Sequence, residues 1–386
     1  MSVELGKHGN EFDPNDEFCE VEHQFIATDP SKFEHFKETG ELEAIEQLYL
    51  SHPDEPYSLR LRESVTEHGT LYTATLKDRG TITAAGLQRM EVETMISPGA
   101  YRYYKTSAKY PVLRKLRAHP ASGATIDWNE NGQLVVELEG NPEQWASFYE
   151  QYAGDMTDQT GTPETSSEAL AHSLSLDLLT LPDEITAQEI LARIMRLRYQ
   201  DTSPIVACVS GRSGSGKSTI TRQLQQLAER HFGKVVRLST DDYHQGKKWL
   251  EATYGAPWTN WDAPEVYDTK LLALDLQKLT SGQPIGARRF DFGLEETVIE
   301  GEVTPSDLII VEGIYSGSPD LDNHRDLHVA IPTPLATSVG RRLNRDRQEA
   351  RLNDSLSNLK DILRYQLEIA EPMYQRQSTL TQPLQN

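Results

Sequence analysis

The chain has 386 residues and only two cysteines, Cys19 and Cys208. Two thiols cannot make a disulfide framework, and Cys208 lies inside an apolar run, where it reads as a small core residue. No stretch of about 18 apolar residues occurs, so no membrane-spanning helix is expected. The opening residues MSVELGKHGNEFDPNDE contain no apolar h-region, so no signal peptide is expected and the default location is the cytoplasm. A basic surplus is also missing. Lys and Arg number 38 against 59 Asp and Glu, a net charge of −21, and more than half of that excess falls in residues 1–150. Nonspecific nucleic-acid binding needs a basic footprint, so nucleic acid is excluded as a partner. No internal repeat is visible. What remains is a 37% hydrophobic, 25% charged chain. That is enough apolar residue for packed cores, in a length that suits two or three domains.

The pattern changes midway. Before residue 150, short segments such as YSLRLRES, LYTATLK, LQRMEVETMI and QLVVELE alternate with period two, the signature of antiparallel strands. GDMTDQTGTPETSSEA, from residue 154, is rich in Thr, Ser, Gly and acids and has linker composition. TAQEILARIMRLRYQ then carries Ile190, Leu191, Ile194, Met195 and Leu197 at helical spacing, with Thr186 and Glu189 placed as a capping box. Beyond it, PIVACVS, KVVRLS and DLIIVEG alternate with helical stretches, the rhythm of a parallel, doubly wound sheet. The expected organisation is a first domain over 1–150, a linker over 151–184 and an α/β domain over 185–386.

GRSGSGKST, residues 211–219, satisfies G-x-x-x-x-G-K-[ST] between an apolar strand and a helix. Gly211, Gly214 and Gly216 let backbone N–H groups wrap a phosphate, and the helix N-terminus adds its dipole. Ser213, Ser215 and Thr219 complete the nucleotide-binding set with Lys217, which would reach the β- and γ-phosphates, and Ser218, whose hydroxyl would ligate Mg2+. Four apolar residues in DLIIVEG deliver Glu312 to a strand end, where an acid can hold Mg2+ or its water. Asp241 and Asp242 lie just past another strand, where a carboxylate can deprotonate an accepting hydroxyl.

The order phosphate loop, STDDYH, NWDAPEVYD, RRFDF, IIVEGIY, GRRLNRDR, EPMYQ resembles the uridine kinase and phosphoribulokinase group over roughly residues 203–376. The resemblance implies a P-loop kinase using ATP and Mg2+. It implies Asp241 as catalytic base and Asp262 on the acceptor hydroxyls. Phe290, Asp291 and His244 would lie beside the acceptor, and Arg342 and Arg345 would be lid arginines, with Arg351 aligning more loosely. His244 replaces the second aromatic that usually follows the base. FDFGLEETV lacks the family's pyrimidine-reading His and Arg, so the resemblance leaves the acceptor open.

The first half repeats one polar device. Glu20 and Glu22, Arg60 and Arg62, Arg89, Glu91 and Glu93, Lys115 and Arg117, and Glu137 and Glu139 each share one face of an expected strand, and Lys77 closes another. A single such strand is ordinary solvated sheet. The full set, closed into a barrel, would line it with both signs, which is costly unless metal and polyanion are bound there.

These residues resemble the CYTH, or triphosphate tunnel metalloenzyme, family over about residues 18–150. The motifs are E-x-E, EQLYL before RLR, the Lys, R-x-E-x-E, K-x-R and a late E-x-E. The resemblance implies an eight-stranded antiparallel tunnel with Glu20, Glu22, Glu137 and Glu139 near Mg2+ or Mn2+, Glu22 among the catalytic residues. Arg60, Arg62, Lys77, Arg89, Lys115 and Arg117 would bind triphosphate, and Asp127 stands where an acid is frequent. Gln24 replaces the lysine of E-x-E-x-K, which implies slower hydrolysis or altered substrate choice.

The sequence therefore specifies a multidomain protein, an N-terminal antiparallel β-barrel tunnel joined to a C-terminal α/β P-loop kinase. A kinase fused to a triphosphate or polyphosphate hydrolase is the expected activity, acting on small molecules, with the number of chains in the assembly open. A phosphate-ligand sensor and an adenylate cyclase-type tunnel are the alternatives.

Overall fold

The computed structural model describes residues 18–39, 41–107, 110–175, 179, 181–200, 204–348 and 357–379. The chain divides into two compact units. One is Met1–Thr180 together with Glu349–Arg364, and the other is Leu181–Gln348 together with Tyr365–Asn386. No described helix is long and apolar enough to cross a membrane.

The first unit is built on ten strands: β1 (Cys19–Ala27), β2 (Leu42–Tyr49), β3 (Tyr57–Thr66), β4 (Gly69–Asp78), β5 (Thr81–Thr83), β6 (Gly86–Met95), β7 (Val112–Ala121), β8 (Ala124–Asn129), β9 (Leu134–Glu139) and β10 (Met156–Asp158). Eight of them form a ring in the order β1-β9-β8-β7-β2-β3-β4-β6, with β6 pairing back onto β1. Every pair in the ring is antiparallel. The period-two pattern works inside out. In β3, Leu59 and Leu61 are fully buried on the outer face, while Arg60 and Arg62 point to the lumen. The outer apolar face becomes the hydrophobic core because helices cover it. Phe148 and Tyr152, from the helix Pro142–Tyr152, pack with Phe25, Ile126, Val136 and Leu138 of β1, β8 and β9.

The stretch 151–184, expected as linker, is instead structured as far as Leu174. Met156–Asp158 adds to β1 as β10, and Ser166 caps a helix over Ser167–Leu174. Its Ser and Thr residues act as caps and hydrogen-bond partners, and such residues are common to loops and to helix starts.

In the second unit β11 (Ile205–Ser210), β12 (Val235–Ser239), β15 (Leu308–Gly313) and β16 (Leu327–Ala330) form a parallel sheet ordered β12-β15-β11-β16. β13 (Ile285–Asp291) and β14 (Glu296–Val303) form a separate hairpin. The sheet is buried on both faces, as parallel sheets are. Ile205, Ala207 and Val209 face Ala187, Ile190, Ile194 and Leu224 from the helices Ala187–Gln200 and Lys217–Phe232. Val206 and Cys208 face Leu272, Leu276 and Leu279 of the helix Thr269–Thr280. Burial pushes the Cys208 thiol up to about 12, so it is inert core. Thr186 and Glu189 exchange backbone and side-chain bonds as a capping box.

Candidate functional sites

In the second unit the phosphate loop leaves the C-terminal end of β11. Its three glycines differ in what they do. Gly214 and Gly216 have φ of 80° and 88°. A Cβ on Gly214 would fall 2.1 Å from the Ser338 carbonyl oxygen, so glycine is needed for both shape and space. Gly211 departs from the expected wrapping role. It is buried directly after β11, and its φ is not left-handed. A Cβ there would lie 2.6 Å from Ser215 Oγ and 3.2 Å from both the Ile331 Cβ and the Lys217 Cγ. Gly211 thus leaves room for Ser215 and the Lys217 stem to fold back over the strand end, and the turn itself belongs to the other two.

Lys217 is buried, its ammonium donating to the Arg212 carbonyl at 2.9 Å. Burial lowers its pKa, against the pull of Glu312 and Asp241. Register places Glu312 beside Val209, and its carboxylate accepts from the Ser218 hydroxyl at 3.1 and 3.2 Å. Burial raises the Glu312 pKa, partly opposed by Lys217. A hydroxyl and a carboxylate touching beside a buried ammonium are the donor set a Mg2+-nucleotide needs. Ser213, Ser215 and Thr219 lie along the same loop and first helical turn, with Ser215 Oγ buried and without a hydrogen-bond partner.

Asp241 sits in the short 3-10 turn Thr240–Tyr243, whose cap is Ser239. Its charge is felt by Lys217, Glu312, His244 and Tyr267. It therefore stands between the phosphate loop and an aromatic group in which His244 lies 4.4 Å from Phe290, 4.7 Å from Tyr267 and 6.0 Å from Trp261, centroid to centroid. Both ring nitrogens of His244 lack hydrogen-bond partners, and burial lowers its pKa, so the ring is neutral. Asp262 is buried, with both carboxylate oxygens 2.8 Å from Nη1 of Arg342.

Asp291 accepts from the backbone N–H groups of Gly293 and Leu294 and pairs with Arg289, so it shapes the β13–β14 turn rather than the aromatic group. Asp242 accepts from the Phe290 N–H instead. Arg342 also donates to Gln366 at 2.8 Å, so it belongs with Asp262 as well as lying within electrostatic reach of Lys217. Arg345 pairs with Asp346 and is partly exposed. Arg351 lies outside the described residues.

In the first unit the ring encloses a cavity of about 860 Å³. Glu20, Glu22, Gln24, Arg60, Arg62, Lys77, Arg89, Arg117, Glu137 and Glu139 all line it. The charges separate into two poles. At one, ligand oxygens of Glu20, Glu22 and Glu139 lie within 4.8 Å of one another, a spacing that fits a divalent cation. Burial, with the neighbouring carboxylates, raises the pKa values of Glu22 and Glu139, against the pull of Arg89 and Lys77 at Glu22 and of Lys77 and Arg117 at Glu139. Burial is outweighed at Glu20 by Lys77 and Arg89, which hold it well below the usual range. Lys77 donates to Glu20 at 2.8 Å, and Arg89 bridges Glu20 and Glu22 at 2.8 and 2.7 Å.

At the other pole burial, Arg60 and Arg117 depress Arg62 to about 10, and the buried Arg60 Nε has no hydrogen-bond partner. Arg60 itself is raised, against its burial, by Tyr49, Glu91 and Glu93. Arg117 spans the poles, reaching Asp127 at 2.6 and 2.7 Å and Glu137 at 2.9 Å. Lys115 does not line the cavity. Its ammonium is sealed on Asp127 at 2.5 Å, with the side chain 1% exposed. The i, i+2 rule put it on the polar face, but its depth along β7 takes it out of the space a ligand can enter.

Several lining residues carry no functional signal of their own in the sequence. Glu91 and Glu93 stood out only as part of R-x-E-x-E. Glu168, Thr162 and Ser166 come from the supposed linker. Glu168 is buried and bonds Ser51 and Arg79 at the cavity wall. Gln24 accepts from the Thr165 hydroxyl at 3.3 Å, and its N–H donates to Thr160 Oγ1 at 3.0 Å. A lone Glu in a Ser/Thr-rich stretch gives no periodicity from which to foresee this.

The profile of the Phosphoribulokinase / Uridine kinase family matches residues 206–361. A uridine kinase of Staphylococcus aureus is 32% identical over 153 residues, covering 39% of this chain and 72% of that protein. One from Clostridium perfringens is 27% identical over 175 residues, 44% of this chain and 79% of that protein. Among solved structures, an inorganic triphosphatase aligns at 22% identity with 41% of this chain and 95% of its own, at a TM-score of 0.24.

Proposed function

Because the chain belongs to the phosphoribulokinase and uridine kinase family, we propose that its second unit transfers the γ-phosphoryl group of ATP to a hydroxyl of a small, uncharged acceptor. The observation that carries this is the convergence of Lys217, Ser218, Glu312 and Asp241 at the ends of parallel strands. Mg2+ held through Ser218 and Glu312 would draw off charge developing on the β- and γ-phosphates. Lys217 exchanges its carbonyl partner for phosphate oxygens. Asp241 takes the proton of the attacking hydroxyl, and Arg345 closes over the phosphates. Asp262, oriented by Arg342, accepts from further hydroxyls of the acceptor.

The acceptor's charge follows from its surroundings. Asp241 and Asp262 are acidic, Arg342 is paired, and His244 is neutral. Arg289, on the neighbouring hairpin, is spent on Asp291 and Glu300. Among the described residues, a phosphorylated sugar would find no unpaired cation beside the aromatic group, whereas a neutral ring or polyol would find stacking faces and His244. Without the family's base-reading His and Arg, weak discrimination among pyrimidine nucleosides, or a non-nucleoside acceptor, is expected. A screen of neutral and phosphorylated acceptors for ADP formation tests this, and turnover confined to phosphorylated acceptors would refute it.

For the first unit we propose metal-dependent binding and hydrolysis of a triphosphate. Its support is a lumen in which Glu20, Glu22 and Glu139 are spaced to fit Mg2+ or Mn2+ and which Arg60, Arg62 and Arg117 also line. Gln24 favours one alternative, a tunnel that binds and turns over little, since an amide held by Thr165 cannot supply a lysine's charge. Phosphate release from tripolyphosphate with Mg2+ or Mn2+, measured beside calorimetric binding, separates hydrolase from sensor.

A further inference from the structure

The phosphate loop is held from outside through a residue of its own that the motif does not specify. Arg212 occupies the second loop position. Its Nε and Nη2 donate to the two carboxylate oxygens of Glu371 at 2.6 and 2.7 Å, and Nη1 donates to the Thr333 carbonyl at 2.7 Å. The guanidinium carbon lies 4.6 Å from the centroid of the Tyr374 ring, whose hydroxyl donates to the Ile331 carbonyl at 3.1 Å. Glu371 is fully buried and accepts a further bond from Gln375. Thr333 returns to the loop, donating from its hydroxyl to the Ser215 carbonyl at 2.9 Å. The helix Glu371–Thr379 and the residues after β16 thus hold the loop near both ends.

The consequence reaches Lys217. Its ammonium rests on the backbone carbonyl of Arg212, the residue whose side chain is clamped. A bidentate guanidinium–carboxylate pair fixes orientation as well as distance. A buried Glu371 without Arg212, or the reverse, would leave an unpaired charge, so the pair resists being opened.

We propose that Arg212, Glu371 and Tyr374 form a positioning bracket. It keeps the phosphate loop open to the nucleotide and Lys217 aimed at the β- and γ-phosphates before ATP arrives. The inference rests on the kinase reading of this unit but concerns nucleotide affinity, which is measurable without turnover. The bracket acts through the loop and touches neither acceptor nor reacting atoms. Its loss falls on ATP.

The test is calorimetric titration of ATP with Mg2+ into the full chain, wild type, E371Q and R212K, beside steady-state kinetics and thermal melts. E371Q is expected to weaken ATP binding by about tenfold or more. Its KM for ATP rises with it, while the acceptor KM stays within about twofold. R212K, which keeps the charge but loses the fork, shifts ATP affinity in the same direction by less. Wild-type ATP affinity in a folded E371Q overturns the bracket. If E371Q does not fold, R212K carries the test. If neither folds, the pair is a folding element only and the proposal falls. A wild type that binds ATP but transfers nothing refutes the kinase reading and leaves the bracket testable by affinity. A wild type that binds no ATP overturns both.

Discussion

Lys217 is a buried ammonium held by a backbone carbonyl and offset by Glu312 and Asp241. Lys217→Ala removes the charge that would neutralise the β- and γ-phosphates, so acceptor-dependent ADP formation should disappear. A wild-type rate would refute the site. In the lumen the same logic divides two substitutions. Glu22→Ala opens the three-carboxylate cluster and should reduce metal-dependent triphosphate hydrolysis on the order of a hundredfold. Arg60→Ala removes a guanidinium whose Nε is buried without a partner, and should act mainly on triphosphate affinity. Kinetics and calorimetry on both variants distinguish these effects, and unchanged binding by Arg60→Ala would return the arginine pole to a structural role. Pairs of like charges at i and i+2 were legible at this scale because a strand must put them on one face. Depth was not, and so Lys115 proved to be sealed on Asp127. Nor was the partner of Asp291, whose oxygen is taken by the turn that follows it.

Elements show what periodicity can and cannot carry. The phosphate-loop turn was legible from its glycines, though not the division of labour between Gly211, which makes room, and the two that turn the chain. A Cβ at Gly214 would meet the Ser338 carbonyl, so Gly214→Ala should prevent ATP binding as read by calorimetry, and intact affinity would show that the loop yields. The strand β16 carries a different prediction. His328 accepts or donates a bond at 2.8 Å with Ser210, and burial, with Arg325 nearby, lowers its pKa to about 4. The unfolded chain therefore takes up a proton near pH 6.5 and the folded one only near 4. Stability from this group is present above pH 6.5 and lost as pH falls from there towards 4, by about 1–2 kcal/mol at pH 5. Denaturant unfolding of the second unit at pH 7 and 5 should show that loss, and His328→Gln should flatten it. Equal pH dependence in the variant would assign the effect elsewhere. The segment after residue 150 was misread because Ser, Thr and Gly mark caps as well as linkers, and only the pairing of β10 with β1 and the burial of Glu168 tell them apart.

At the scale of the molecule, each unit has hydrophobic clusters of its own among the described residues. Lys217→Ala should leave tunnel hydrolysis at its wild-type rate, and Glu22→Ala should leave ATP use unchanged. Paired assays on both variants check this, and loss of both activities in either would show that the units are coupled. The alternation of strand and helix after residue 185 and the strand runs before 150 made the two architectures legible. The grouping of residues 357–364 with the first unit was not, since no local pattern encodes which unit a segment joins.

The ring of the first unit is completed by a short seam, Cys19–Glu22 against Leu87–Met90. Glu20 and Glu22 lie on one lip and Arg89 on the other, joined by the bonds that cross it. A cation taken by Glu20, Glu22 and Glu139 would stitch that lip to β9. The cation would thus tighten β1 against β9 rather than across the seam, and amide hydrogen exchange between β1 and β9 should slow when Mg2+ and tripolyphosphate are added.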